Sequence, residues 1–152
     1  MKLSILIPTV DDRRQSFKDL ILDLTAQAID GFYEEQIEII SLCDHKLLSI
    51  GTKRNELLQR AHGDYVCFID DDDTVSKDYI QKTMTALMTS PDCCSLTGVI
   101  TWNGDNPELF EHSLKYREYK TNSPTQGIRY ERYPNHLNVI RRDVAQGFSF
   151  PE

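Results

Sequence analysis

The sequence predicts an α/β fold in three layers, with a mostly parallel central sheet covered by helices on both faces. Three observations predict it. Short runs of β-forming residues alternate with longer runs that place apolar residues at helical spacing. Turn and capping residues separate the runs. The strand–helix–strand order joins parallel strands by right-handed crossovers, and these bury both faces of the sheet.

Residues 3–7 (LSILI) read as the first strand, ended by Pro8. Ser16, with Asp19 three positions on, is placed to cap a helix whose Phe17, Leu20, Ile21, Leu24 and Ala28 share a face; Gly31 closes it. Residues 36–43 (QIEIISLC) read as the second strand, ending at Asp44. A helix over residues 50–61 carries Leu57, Leu58 and Ala61 on one face, with Gly63 as its stop. Residues 65–69 (YVCFI) are a third strand that runs straight into Asp70. Residues 76–89 carry the next helical stripe (Ile80, Met84, Leu87, Met88), and residues 95–102 another strand. Residues 103–134 are polar and aromatic without clear periodicity, and read as loops and irregular strands over the active face. Residues 137–140 suit a last short strand, and residues 141–145 a turn or helix start.

A chain of 152 residues with 39% hydrophobic composition is enough for one domain with a real core. No run of about 18 apolar residues exists, so no transmembrane segment is expected, and the start lacks the pattern of a signal peptide. A cytoplasmic location is the expectation. Cys43 and Cys67 lie in apolar runs, where a reduced thiol acts as a small hydrophobe. Cys93 and Cys94 are adjacent, and no CxxC pair with His spacing suggests zinc. A net charge of -7 excludes a duplex nucleic-acid binder, which needs a basic face, so no nucleic-acid partner is expected.

In a parallel sheet, ligands bind beyond the carboxyl ends of the strands. The residues to read there are Pro8 and Thr9, Asp44 and His45, and the run Asp70, Asp71, Asp72 and Asp73. Four adjacent carboxylates raise one another's pKa unless a cation compensates. Magnesium or manganese is the natural compensator: it takes one or two carboxylates and fills its shell with water and phosphate oxygens. Such a site brings a diphosphate to the end of the sheet and stabilises it as a leaving group. The plain alternative is a solvated acidic turn favoured by the dipole of the next helix. An EF-hand loop fails, since no Gly stands at its sixth position and no Glu at its twelfth. A DDxxD motif fails at Thr74. The phosphatase signature hhhhDxDx(T/V) does match, from Phe68 to Val75.

Taken in order, these residues resemble family 2 glycosyltransferases of the GT-A fold, a Rossmann-like α/β/α architecture. The resemblance rests on Ile5-Leu6-Ile7-Pro8-Thr9 at the first strand and Asp44 at the end of the second. It continues through Lys53-Arg54-Asn55, Ala61-His62-Gly63-Asp64-Tyr65 and Phe68-Ile69-Asp70-Asp71-Asp72-Asp73. It extends more loosely to Asn135-His136-Leu137-Asn138, Arg141-Arg142 and Gly147-Phe148. It implies one GT-A-like domain over residues 1–152, with a nucleotide-sugar-binding half (1–102) and the start of an acceptor-binding half (103–152).

By this resemblance Pro8, Thr9 and Asp44 hold the nucleobase with help from Arg54, Asp70 or Asp71 meets the ribose, and Asp72 binds the metal. His45 and His62 are expected to be surface residues. The implied reaction is an inverting transfer, of hexosyltransferase type, from a nucleotide-sugar donor, UDP-linked on family grounds. The acceptor is a carbohydrate, lipid-linked or protein hydroxyl. The family's general base, an acidic residue beyond the Gly-Phe segment, is expected past Glu152. That points either to truncation at the C-terminus, with further domains of a longer native chain as partners, or to loss of the base. Asp143 follows two Arg residues and reads as a surface helix start. Two rivals remain: a haloacid-dehalogenase-type phosphatase using Asp70 and Asp72, and a non-catalytic nucleotide-sugar-binding fragment.

Overall fold

The computed structural model describes residues 1–122 and 127–152. Residues 123–126, inside the stretch expected to be irregular, lie outside the described residues. Strand β1 (Leu3–Val10) leads through one 3-10 turn (Asp11–Arg13) into α1 (Arg14–Asp30). There follow β2 (Ile37–Asp44), α2 (Ile50–Arg60), β3 (Tyr65–Phe68) and α3 (Tyr79–Leu87). The chain then forms β4 (Leu96–Trp102), β5 (Asp105–His112), β6 (Lys120–Thr121), β7 (Tyr130–Arg132), β8 (Ile140–Arg141) and the short α4 (Arg142–Ala145).

The first sheet has the order β2-β1-β3-β8, with β1 parallel to both neighbours and β8 antiparallel to β3. Side-chain alternation along its strands builds the layers. Leu3, Ile5 and Ile7 of β1, with Tyr65 and Cys67 of β3, pack against Leu20 and Leu24 of α1 and Ile80, Met84 and Leu87 of α3. Leu6, Val66 and Phe68 point the other way, onto Leu57 and Leu58 of α2. The fold is therefore the expected α/β/α arrangement with a mainly parallel sheet.

Several boundaries differ from the sequence reading. Pro8 lies inside β1 and does not end it. Pairing with β3 stops at Leu6, whereas pairing with β2 runs on to Val10. The β2-facing residues are Leu3 and every second residue after it, so Pro8 faces the β3 side, beyond the last paired residue, where its missing N–H breaks no ladder bond. Ser16 is no cap, because α1 continues from the 3-10 turn and starts at Arg14. Helix α3 begins at Tyr79, three residues later than Ser76. Gly63 is required for closeness and is not a helix stop: a Cβ there would lie 2.7 Å from both the Ser4 amide nitrogen and its hydroxyl.

The strand expected over residues 95–102 is β4, and the stretch expected to be loops and irregular strands supplies its partners β5, β6 and β7 in a second sheet ordered β4-β5-β7-β6. Strands β4 and β5 form a hairpin over Asn103 (φ 53°) and Gly104 (φ 85°), the left-handed pair that a tight hairpin turn demands. The strand expected over residues 137–140 shrinks to Ile140–Arg141. No helix among the described residues is long and apolar enough to cross a membrane. All four cysteines are free; Cys67 is buried as expected, while Cys43 is exposed, with its thiol directed at Asp11.

Candidate functional site

The carboxyl ends of β1, β2 and β3 meet around a cleft of about 440 Å³. Pro8, Thr9, Arg54, Asp70 and Asp71 line it, together with Asp12, Arg13, Lys46 and Lys53. The expected nucleotide-binding residues thus converge, except that Asp44 stands behind the wall. Its Oδ2 accepts the amides of Leu47 (2.8 Å) and Leu48 (2.7 Å), and its Oδ1 pairs with the Lys53 ammonium. The Lys53 hydrogen bond, with the two amides, pulls the Asp44 carboxyl down to about 2. Lys53 is buried and also donates to the Thr9 carbonyl at 2.9 Å, so one side chain of α2 ties together the ends of β1 and β2.

Arg54, one residue on, donates through Nη2 to Asp70 Oδ1 at 2.9 Å. Its guanidinium lies 5.9 Å from the Phe68 ring centre and 5.7 Å from that of Phe150. The Phe150 backbone is clasped by the Asn55 side chain, which accepts its N–H (2.8 Å) and donates to its carbonyl (2.9 Å). On the other side of Asp70, His136 Nε2 stands 3.7 Å from Oδ2. His136 and Arg54 hold the Asp70 carboxyl below its ordinary range against the effect of burial.

Asp71 is buried and accepts from Arg13 Nη1 at 2.8 Å and from the Val10 amide at 3.3 Å. The same Arg13 nitrogen is 3.0 Å from Asp72 Oδ2, and Asp72 is half-exposed. Asp73 closes a turn with its amide on the Asp70 carbonyl, and its carboxyl is raised by burial and by the charges of Asp70 and Asp72. The four acidic residues therefore hold four different positions. His45 and His62 are exposed as expected, each beside a carboxylate, Asp11 and Glu38 respectively. Asp143 lies in the first turn of α4, where it accepts from the Val144 amide and from Arg141 Nε. Arg141 pairs with the first residue of β3, so Asp143 sits at the opposite end of the sheet.

Among the described residues no three metal-binding side chains stand together. A hard divalent cation that shares its shell with phosphates needs only one or two carboxylates. Asp72, half-exposed beside the cleft and held among the described residues through its Oδ2 alone, fits that requirement. Sequence reasoning missed Arg13, Lys53 and His136. Lys53 and His136 sat within the motifs already singled out, whereas Arg13 carried no signal of its own.

A parallel sheet between helices, with a polar cleft and an acidic run at its strand ends, places the molecule in the GT-A class of α/β folds. The sequence pattern of glycosyl transferase family 2 matches residues 22–148, and the chain belongs to that family. It is 23% identical over 172 residues to the glucosyl-dolichyl phosphate glucuronosyltransferase of Haloferax volcanii, covering 99% of this chain and 52% of that protein. Crystal structures of TarS from S. aureus share the fold. The TarS structure spanning its residues 1–349 superposes with a TM-score of 0.58 at 18% identity, covering 99% of this chain and 50% of that one. The TarS complex with UDP-GlcNAc gives a TM-score of 0.57 at 18% identity, over 99% and 49% of the two chains. The chain thus spans about half the length of the relatives it matches.

Proposed function

We propose that this chain is the nucleotide-sugar-binding part of a glycosyltransferase that moves a sugar from a UDP-linked donor to an acceptor hydroxyl. The observation that carries the reading is the cleft itself. Four strand-end residues expected from the resemblance (Pro8, Thr9, Asp70 and Asp71) and Arg54 line one cavity in a member of this family. The UDP-GlcNAc and UDP complexes of TarS, which shares the fold, support the same donor class.

In this reading Pro8 and Thr9 form the floor under the nucleobase, and Asp44, fixed by Lys53, sets the shape of its wall. Asp70, oriented by Arg54 and His136, receives the ribose hydroxyls. Manganese or magnesium at Asp72 would supply Lewis acidity to the diphosphate leaving group. The chain's own contribution is alignment of the anomeric carbon for in-line, inverting attack by a carbohydrate, lipid-linked or protein hydroxyl. Residues 1–102 serve the donor, and residues 103–152 begin the acceptor side of the same cytoplasmic domain. Family membership leaves the phosphatase alternative without support, and Asp70, engaged by Arg54, is poorly placed as its nucleophile.

Calorimetric titration of UDP and UDP-sugars, with and without manganese, tests the reading on the native chain and on Asp72→Ala. The expected result is manganese-dependent binding that Asp72→Ala weakens by about tenfold or more. Absence of nucleotide binding, with hydrolysis of a simple phosphate ester, would overturn it.

A further inference from the structure

Arg13 occupies a place that helix electrostatics disfavours. It stands at the N-cap position of α1, a helix of 17 residues, makes no capping bond, and carries a cation at the positive end of the helix dipole. Its side chain is half-exposed and lines the cleft. One nitrogen, Nη1, bridges Asp71 Oδ1 (2.8 Å) and Asp72 Oδ2 (3.0 Å). Asp71 has a second donor in the Val10 amide, whereas the Asp72 carboxylate has Arg13 alone among the described residues. A divalent cation on Asp72 would share that carboxylate with Arg13, and two cations a few ångströms apart repel strongly.

We propose that Arg13 is a built-in counter-cation that holds Asp72 beside the cleft and turns to the donor's diphosphate when metal binds to Asp72. This rests on the glycosyltransferase reading above, which already couples metal to nucleotide, and assigns part of that coupling to Arg13. Metal and nucleotide assist each other, because each removes the other's obstacle: the metal frees Arg13, and the diphosphate accepts it. By linkage the assistance is equal in both directions.

The test is manganese affinity, read as free manganese by electron paramagnetic resonance, on the 152-residue chain with and without UDP. The wild-type chain should bind manganese at least about tenfold more tightly with UDP than without it. Arg13→Gln should raise the affinity without UDP by about tenfold or more and shrink the effect of UDP. Arg13→Gln strands the buried Asp71 charge, so Arg13→Gln/Asp71→Asn, which removes both charges and keeps Asp72, is measured beside it. Thermal melts establish which variants fold. A wild-type chain that binds manganese equally well with and without UDP overturns the proposal. So does a folded variant whose affinity without UDP is unchanged or weaker. A wild-type chain that binds no UDP at all overturns the glycosyltransferase reading itself and the coupling with it.

Discussion

Asp44 ends β2 with two amides on one oxygen and the Lys53 ammonium on the other, and Lys53 in turn holds the Thr9 carbonyl at the end of β1. The sequence showed Asp44 at a strand end and Lys53-Arg54 on a helix, but not that the lysine reaches under the cleft to the aspartate. Two oppositely charged side chains in different elements carry no local pattern, because their pairing is decided only when the strands are laid side by side. Lys53→Met keeps the stem and removes the charge, leaving Asp44 to its amides. The Asp44 carboxyl is lowered from 3.8 to about 2 in the folded chain, so the stability it contributes is fully present above about pH 4 and is lost as pH falls through 2. The difference in urea midpoint between wild type and Lys53→Met should therefore be constant from neutrality to about pH 4 and narrow between pH 4 and 2. A difference that persists unchanged to pH 2 would show that the lysine acts through packing alone.

At the scale of elements, legibility followed the reach of the signal. Helices α1 and α2 and strands β1, β2 and β3 were readable because burial on one face imposes a period on the sequence. Pro8 misled because its cost depends on which side of the strand it faces, a property of the neighbour's length. Strand β5 was missed although Asn103-Gly104 is the strongest short hairpin signal. Its residues 105–111 (DNPELFE) alternate poorly because both faces of the hairpin are largely exposed. Gly104 also allows a clean measurement. Nothing lies within 4 Å of a Cβ built there, and its φ is +85°. Gly104→Ala should then lower stability by about 1 kcal/mol through backbone strain alone. Thermal unfolding reads that cost, and an unchanged midpoint would mean that the hairpin turn is not held in this conformation in solution.

The molecule is built on two sheets, and the second was invisible as a sheet because β6 and β7, which complete it beyond the β4–β5 hairpin, are only two and three residues long. Asn138 is the fastener between the sheets. Its Nδ2 donates to the Cys94 carbonyl just before β4 (2.8 Å), while its Oδ1 accepts from the Asn135 amide (3.1 Å) and faces His112 Nδ1 at the end of β5 (3.0 Å). With both roles of the Asn138 amide fixed in this way, His112 must carry its proton on Nδ1. Nε2 is then left without a hydrogen bond among the described residues, inside a side chain only 1% exposed. Burial, with the charges of Arg132 and His136, lowers the proton affinity of His112 below the ordinary value of 6.5. The unfolded chain then binds a proton more readily than the folded one, so stability is complete above pH 6.5 and falls as pH drops below it. One such group gives a slope of up to about 1.4 kcal/mol per pH unit. His112→Gln keeps a donor for Asn138 and cannot titrate, so its urea midpoint should decline less steeply than that of wild type between pH 7 and 5. Parallel declines in the two proteins would mean that His112 charges as easily in the folded chain as in the unfolded one, and that the junction between the sheets is open to water.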